Sequence, residues 1–178
     1  MQVLYIVGSL RKESWTLKVT KAIVSRYSGE SEIYVPGDLP LFNQDLESKM
    51  PKSVLALKKK VEKANAIVFV TPEHNHSTSA VLKNAIEWGS RPYGSSSWKG
   101  KPGAIVCQSP GMTGAVRAKE AVRTIMGELQ MHVMDNPEVI LTHVDKKFDN
   151  GKLVDEPTIE KIQEFLVALS VWVDRFKN

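Results

Sequence analysis

The sequence has very little cysteine and no long apolar run. Cys107 is the single cysteine among 178 residues, so the chain cannot form an internal disulfide, and a reducing compartment is expected. No stretch approaches the roughly eighteen consecutive apolar residues that a membrane span requires. The N-terminal segment 1–8 lacks the basic start and the small-residue cleavage site of a signal peptide. These absences predict a cytoplasmic protein with no membrane partner.

Sequence motifs for dinucleotide binding and for nucleophilic hydrolysis are missing as well. The dinucleotide fingerprint G-x-G-x-x-G would need glycine where the chain has Leu10 and Glu13. Neither the Gly-Lys-Ser/Thr triplet of triphosphate-binding loops nor a G-x-S-x-G elbow is present. Cys107 lies within an apolar run, where an inert buried thiol is expected. We therefore name no catalytic acid, base or nucleophile.

Histidine is scarce, and its positions argue against a metal site. His74 and His76 lie close to Glu73, a grouping that superficially suggests metal ligands. A protein metal site usually has about three or four ligands, however, and the remaining His132 and His143 show no ligand spacing. We expect no bound metal.

The composition is that of one soluble domain with a mild positive charge. The chain is 42% apolar and 25% charged, and its 178 residues suffice for a buried core. The lysine run at 58–60 falls inside an amphipathic helix pattern, where a solvated face is more common than a nucleic-acid contact. We expect one domain over residues 1–178 and no nucleic-acid partner. The formal net charge of +4 favours anionic small molecules such as phosphorylated cofactors.

Short β-branched runs alternate along the chain with longer segments of helical periodicity. This alternation predicts an α/β fold in which helices cover a parallel sheet. The segment 66–71 is continuously apolar, as expected of a strand that is buried on both faces. The predicted strands are 2–7, 31–35, 66–71, 103–108 and about 131–141.

The last predicted helix, from 158 to about 176, carries apolar residues on two stripes. Ile162 and Leu169 belong to the first stripe, and Phe165, Ala168 and Trp172 form the second. The first stripe can pack on the sheet. The second has two interpretations of equal weight: it contacts a partner subunit, or it lies deep within its own domain.

The turn after the first strand has the residues of a phosphate site. Segment 8–16 reads Gly-Ser-Leu-Arg-Lys-Glu-Ser-Trp-Thr and leads into an amphipathic helix. A helix N-terminus attracts anions through its free N–H groups and its dipole. Ser9, Ser14 and Thr16 add hydroxyl groups, and Arg11 adds a guanidinium that can form charge-assisted hydrogen bonds. The alternative is that Ser14 only caps the helix.

Two further turns follow predicted strands. Segment 71–79 reads Thr-Pro-Glu-His-Asn-His-Ser-Thr-Ser, and segment 108–114 reads Gln-Ser-Pro-Gly-Met-Thr-Gly. Ligands of open α/β sheets bind at the carboxyl ends of the strands, where the strand order reverses. The glycines of the third turn allow close approach to a ligand, or simply form a tight turn. One phosphate cradle with two walls for a flat ring is the layout that FMN needs.

These turns resemble the motifs of the NADPH-dependent FMN reductase family, especially its bacterial quinone and chromate reductases. The resemblance rests on segments 8–14, 72–77, 82–88 and 90–92, and it runs over nearly the whole chain. It implies a flavodoxin-like three-layer sandwich with helices on both faces of the sheet. The implied sheet has five parallel strands in the order 2-1-3-4-5.

The resemblance also implies which residues hold FMN. In the family the first turn binds the phosphate and the second contacts the isoalloxazine ring. The chain departs from the family pattern at Thr16 and His74, where Asn and Tyr are usual, so the redox potential and substrate preference can differ. The implied FMN-binding residues are Ser9, Arg11, Ser14, Trp15 and Thr16 in the first turn, Pro72, Glu73, His74 and Asn75 in the second, and Ser109 and Gly111 in the third.

The implied activity is that of an FMN-dependent oxidoreductase with a ping-pong cycle. NADPH or NADH reduces the FMN and leaves, and a small-molecule acceptor such as a quinone then takes the electrons at the same ring face. A flavodoxin-type electron carrier is one alternative, although such carriers are strongly acidic and this chain has a net charge of +4. A phosphate-binding module without flavin is another. Dimers and tetramers are common in the family, so a homodimer or homotetramer is expected.

Overall fold

The alternation of strands and helices is present in the computed structural model, which describes residues 1–176. Short 3-10 helices lie at Gln44–Lys49 and Val144–Lys147. The strands and α-helices are β1 (Gln2–Val7), α1 (Trp15–Val24), β2 (Glu30–Tyr34), α2 (Lys52–Lys63), β3 (Ala66–Thr71), α3 (Ala80–Gly89), β4 (Pro102–Gln108), α4 (Val116–Glu128), β5 (His132–Val133), β6 (Val139–Leu141), β7 (Phe148–Asp149), β8 (Lys152–Leu153) and α5 (Glu156–Asp174).

The main sheet has the predicted order, β2-β1-β3-β4-β5, and its strands pair in parallel. Val3 illustrates the register, because it lies opposite Ser31 of β2 on one side and Ala66 of β3 on the other. The chain first adds β2 outside β1 and then crosses back to place β3 on the other side. The carboxyl ends of β1 and β3 therefore flank the point where strand order reverses.

The predicted fifth strand, about 131–141, is wrong in one respect, because the structure divides it into β5 and β6. Both short strands pair with β4: His132 lies opposite Pro102, and Val139 lies opposite Val106. Pro137 lies between them, and proline has no N–H to donate to a neighbouring strand. The sheet therefore has six strands, and β7 and β8 form a separate antiparallel hairpin that the periodicity did not indicate.

Two apolar cores lie on opposite faces of the sheet. Val68 and Val70 of β3 point into a core with residues of α1 and α5, whereas Ile67 and Phe69 point into a core with residues of α2, α3 and α4. Every residue of β3 is buried, as its continuous apolar sequence predicts. Complete burial of such a side chain contributes about 1.5–3 kcal/mol. The two cores hold the helices in the three layers expected.

Helix α5 directs both of its apolar stripes toward its own sheet. Phe165 is 1% exposed and lies in the core with Ile162. Trp172 is half-buried, and its Nε1 donates to the carbonyl of His132 at 2.9 Å. Phe165 therefore lies deep within its own domain, whereas Ala168 and Trp172 are only partly buried, and contact of the second stripe with a partner subunit stays a prediction. The exposed large apolar residues of α5 are Val167 and Val171. Within residues 1–176, no helix combines the length and apolar character needed to cross a membrane.

Helix α5 begins with a cap that should make stability depend on pH. The Asp155 carboxylate accepts hydrogen bonds from Thr158 and from Lys147 Nζ, and these bonds lower the pKa of Asp155. We predict that Asp155→Ala lowers the free energy of unfolding by about 1–2 kcal/mol near neutral pH. Because the pKa is lowered in the folded state, this stabilisation should disappear as pH falls below about 4.

Equilibrium unfolding in urea at several pH values measures the effect. Glu160→Ala is the matched control, because Glu160 is an exposed acid on the same helix, and it should change stability by less than about 0.5 kcal/mol. A loss in Asp155→Ala that is independent of pH would contradict the charged cap.

Candidate functional site

A cleft of about 540 Å³ opens at the carboxyl ends of β1, β3 and β4, where the order of the sheet reverses. It draws residues from the three turns that sequence analysis singled out. The lining residues are Gly8, Ser9, Leu10, Arg11, Ser14, Trp15, Thr16, Pro72, Glu73, His74, Ser79, Ala80, Val81, Gln108, Ser109 and Pro110.

The structure brings together all of the predicted site residues except Asn75 and Gly111, which do not line the cleft. Sequence reasoning missed several lining positions inside the same turns and three at the start of α3. It also missed Gln108, the last residue of β4. A polar residue that ends a buried apolar strand was the signal that could have identified it.

Helix α1 begins at the edge of the cleft. Ser14 is its N-cap, and Ser14 Oγ accepts a hydrogen bond from the Leu17 amide at 3.1 Å. Ser14 therefore does cap the helix. The amides of Trp15 and Thr16 have no carbonyl oxygen one turn earlier to which they could donate, so they remain free for a ligand. Arg11 is exposed, and its Nη2 donates to the Glu13 carbonyl at 2.9 Å. Free amides beside a guanidinium form a cradle for a phosphate ester.

Gly8 lets the first two turns approach each other closely. Its amide donates to the Val70 carbonyl at 2.8 Å. A Cβ at residue 8 would lie 3.1 Å from Pro72 Cδ, from Ser79 Oγ and from the Val70 carbonyl oxygen. A side chain at residue 8 would require these neighbours to shift by a few tenths of an ångström, so glycine suits the close approach of the two turns.

The second turn is a tight reversal held by its own backbone. His74 and Ser77 exchange two backbone hydrogen bonds of 3.0 Å. The two residues between them, Asn75 and His76, have φ of 49° and 62°. Positive φ at both central positions is typical of a type I′ turn, in which asparagine is favoured. Asn75 therefore shapes the turn from its tip and does not face the cleft.

Glu73 fixes the second turn to helix α4. Its carboxylate accepts from the Arg117 amide at 3.1 Å and from Arg117 Nη1 at 3.2 Å. The side chain of Glu73 is only 13% exposed, so its carboxylate interacts with Arg117 more than with solvent. The pairing also neutralises the one acidic residue among those that line the cleft, which leaves Arg11 to set the charge near the phosphate cradle.

The third turn is anchored to the strand beyond it. The amide of Ser109 donates to the Leu141 carbonyl at 3.0 Å, and the amide of Val144 donates to the Ser109 carbonyl at 3.2 Å. The Ser109 hydroxyl accepts from the Gly111 amide at 3.0 Å. Gly111 therefore supports the turn from behind, while Ser109 lines the cleft.

The floor of the cleft contains a polar atom without a partner. Gln108 is 4% exposed, and its Nε2 donates to Thr16 Oγ1 at 2.8 Å. Within the described part of the chain, Gln108 Oε1 has no hydrogen-bond donor. A buried acceptor left unpaired costs about 1–3 kcal/mol of stability, and this oxygen is enclosed by the protein. The anion cradle of the first turn is the part of the cleft that suits a phosphorylated molecule such as FMN.

The single cysteine of the chain is an inert thiol. Cys107 is fully buried, and this burial raises the pKa of its thiol to about 12. The thiol is therefore protonated at neutral pH and unreactive. Over residues 1–176, no group of three or more histidine, cysteine or acidic side chains is arranged to hold a metal ion.

The sheet order and the position of the cleft define a flavodoxin-like protein with a site for a phosphorylated cofactor. A model of the NADPH-dependent FMN reductase family matches residues 1–146. The chain belongs to this family, as its motifs predicted. It is therefore an oxidoreductase that uses FMN as cofactor and NADPH or NADH as electron donor, with a small-molecule acceptor.

Similar proteins match over nearly the full length of the chain. A quinone reductase of Pseudomonas putida is 40% identical over 174 residues, which cover 96% of this chain and 94% of that protein. A 2-hydroxy-1,4-benzoquinone reductase of Burkholderia is 36% identical over 176 residues, with coverage of 97% and 96%. The solved flavoenzyme NAD(P)H:(acceptor) oxidoreductase of Paracoccus denitrificans superposes with a TM-score of 0.91 at 36% identity and covers 98% of each chain. This likeness confirms the flavodoxin-like fold.

We predict that Arg11→Ala weakens FMN binding about 10- to 100-fold, because a hydrogen bond to a charged group contributes about 1.5–3 kcal/mol. Riboflavin lacks the phosphate, so its affinity should not change. Quenching of flavin fluorescence by the apoprotein measures both affinities. Lys12→Ala is the matched control, because Lys12 is an exposed neighbour that does not line the cleft. Equal losses for FMN and riboflavin would place the phosphate elsewhere.

Proposed function

We propose that this chain is an NAD(P)H-dependent quinone reductase. The observation that carries the proposal is a cleft with a phosphate cradle at one end, in a chain that is similar over nearly its full length to proteins named quinone reductases. FMN, when bound, accepts a hydride from the nicotinamide and passes two electrons on to the acceptor. The protein supplies binding, orientation and electrostatics.

The first turn holds the phosphate in this proposal. Its amides at the start of α1, its hydroxyl groups and the Arg11 guanidinium all offer hydrogen-bond donors to an anion. The second and third turns hold the ring. Some of their residues line the cleft, and others keep the turns in the required conformation. The FMN-binding residues that we propose are Ser9, Arg11, Ser14, Trp15, Thr16, Pro72, Glu73, His74, Asn75, Ser109 and Gly111.

The chain positions the reactants and does not need an acid or base of its own. Glu73 is paired with Arg117 and serves to fix the second turn. His74 is exposed at the rim, where it can contact the nicotinamide or the acceptor from one side. The donor and the acceptor would bind one after the other at the same place in the cleft. This binding supplies the orientation that hydride transfer requires.

An electron carrier without turnover of its own is the second candidate. It shares the fold, and fold alone does not determine function. Carriers of the flavodoxin type depend on acidic surfaces to dock basic partners, whereas this chain has a net charge of +4. The charge therefore supports an enzyme that acts on small molecules.

Steady-state oxidation of NADPH with 1,4-benzoquinone tests the proposal. An enzyme should consume NADPH in large excess over its bound FMN, and NADH in place of NADPH then shows which donor it prefers. A carrier should consume no more than about one equivalent of NADPH per FMN. Protein that stays colourless after incubation with FMN would contradict the proposed site as well.

We also propose that the chain assembles as a homodimer or homotetramer. The support is the exposed pair Val167 and Val171, which lie one turn apart on α5 with 67% and 53% exposure. Such residues on an outer helix favour contact with another apolar surface. Light scattering at micromolar concentration should give a mass of at least two chains of 19.9 kDa each. A single-chain mass would contradict the assembly.

The cysteine content and the cores support two further expectations. The one cysteine is a buried thiol, which is consistent with a cytoplasmic location. Both cores are built on the same sheet, which supports one domain for the chain.

A further inference from the structure

The carboxylate of Glu73 caps helix α4 from outside that helix. The N-cap residue of α4 is Ala115, whose side chain makes no capping hydrogen bond, and the first turn of α4 contains no acidic residue. Glu73 Oε2 instead accepts from the amide of Arg117, the second residue of α4, at 3.1 Å. A carboxylate is favoured at a helix N-terminus by the free N–H groups and by the helix dipole. The negative charge of Glu73 therefore has a structural role.

The same charge lies at a cleft whose cofactor becomes more negative when it is reduced. Glu73 is the one acidic residue among the described residues that line the cleft. At neutral pH the ring of reduced FMN carries a negative charge that the ring of oxidised FMN lacks. An unpaired carboxylate in the cleft would oppose this gain of charge. The cap on α4 therefore conflicts with electron uptake by FMN unless a cation offsets it.

The Arg117 side chain offsets the charge without lining the cleft. Its Nη1 lies 3.2 Å from Glu73 Oε1. His76 is the other basic residue within ion-pair distance: its Nδ1 lies 3.8 Å from the same oxygen, and its side chain is 73% exposed. Over residues 1–176, no further basic side chain forms an ion pair with Glu73. Because a guanidinium stays protonated in proteins, Arg117 supplies the permanent positive charge.

We propose that Arg117 raises the redox potential of bound FMN by neutralising Glu73. The proposal rests on the FMN site proposed above. The nicotinamide supplies both electrons as a hydride, and Arg117 changes only the relative stability of oxidised and reduced FMN. With Glu73 neutralised, the cleft keeps the positive charge of Arg11, which favours the more negative form of the cofactor. Arg117 acts through Glu73 and is therefore a positioning residue.

The test is Arg117→Gln, which removes the charge and keeps the backbone amide that donates to Glu73. Reduced FMN should bind about tenfold more weakly relative to oxidised FMN, which lowers the potential of a two-electron couple by about 30 mV. Arg117→Lys keeps the charge and should stay close to wild type. Equilibrium titration against a reference dye, followed by flavin absorbance, measures the potential. Work at pH 8, where histidine is ordinarily neutral, leaves arginine as the charged partner.

Variants at Glu73 show whether the effect passes through that residue. Glu73→Gln keeps an acceptor for the Arg117 amide and leaves the guanidinium without its counter-charge, so the potential should rise. The double variant Glu73→Gln/Arg117→Gln lacks both charges and should lie near wild type. If Arg117→Gln lowers the potential by the same amount in the Glu73→Gln background, the action through Glu73 is overturned.

Arg123→Gln is the matched control. Arg123 lies on the same helix, its side chain has the same 48% exposure as that of Arg117, and it donates to Asp135 at 2.6 and 2.8 Å. Neither Arg123 nor Asp135 lines the cleft, so this variant should keep the wild-type potential. An equal shift in Arg123→Gln would show that general surface charge sets the potential and would overturn the proposal.

The affinity for oxidised FMN separates this role from the site itself. Arg117 is half-exposed, so the variants should fold, and their affinity for oxidised FMN should stay within about threefold of wild type. Wild-type protein that does not bind FMN overturns both the site and the role of Arg117. FMN that binds to Arg117→Gln at an unchanged potential overturns the role of Arg117 alone.

Discussion

The absence of a side chain at residue 8 is the constraint on which the site depends. A Cβ at residue 8 would lie 3.1 Å from Pro72 Cδ and from Ser79 Oγ, which is tighter than most Cβ contacts. Because the turns meet, the N-terminus of α1 and the walls formed by the second and third turns face one cleft. A ligand with a phosphate at one end and a flat ring at the other can then use both.

The cleft is largely organised before any ligand arrives. Serine caps hold the starts of α1 and α3, and the bond between Gln108 and Thr16 joins the end of β4 to the start of α1. The Ser79 cap and the bond between Gln108 and Thr16 are buried, where hydrogen bonds are strong and their loss is costly, and the Ser14 cap is partly buried. A site held in this way spends little free energy on ordering itself when FMN binds. Gln108 Oε1 is the exception, because this buried oxygen has no hydrogen-bond donor within residues 1–176.

Elements outside the cleft decide where its walls lie. Arg117 of α4 donates hydrogen bonds to Glu73 of the second turn. The carbonyl of Leu141 in β6 accepts a hydrogen bond from the amide of Ser109 in the third turn. Neither residue lines the cleft. A family motif can therefore list the residues at the site while leaving out those that position them. Asn75 and Gly111 likewise belong to the motif without lining the cleft.

The sequence by itself determined the local features of this protein. The strands β1 to β4 lie within one residue of their predicted bounds. For the fully buried β3 the reason is that such a parallel strand is a continuous apolar run that ends in a polar turn. The phosphate cradle was also predictable, since a helix N-terminus and a nearby arginine belong to one short segment. Only the tertiary structure decided that β6 pairs with β4 alongside β5, that Trp172 donates to the His132 carbonyl, and that Gln108 donates to Thr16. These outcomes depend on contacts between distant parts of the chain, 92 residues apart for Gln108 and Thr16, and the periodicity of one segment carries no information about them.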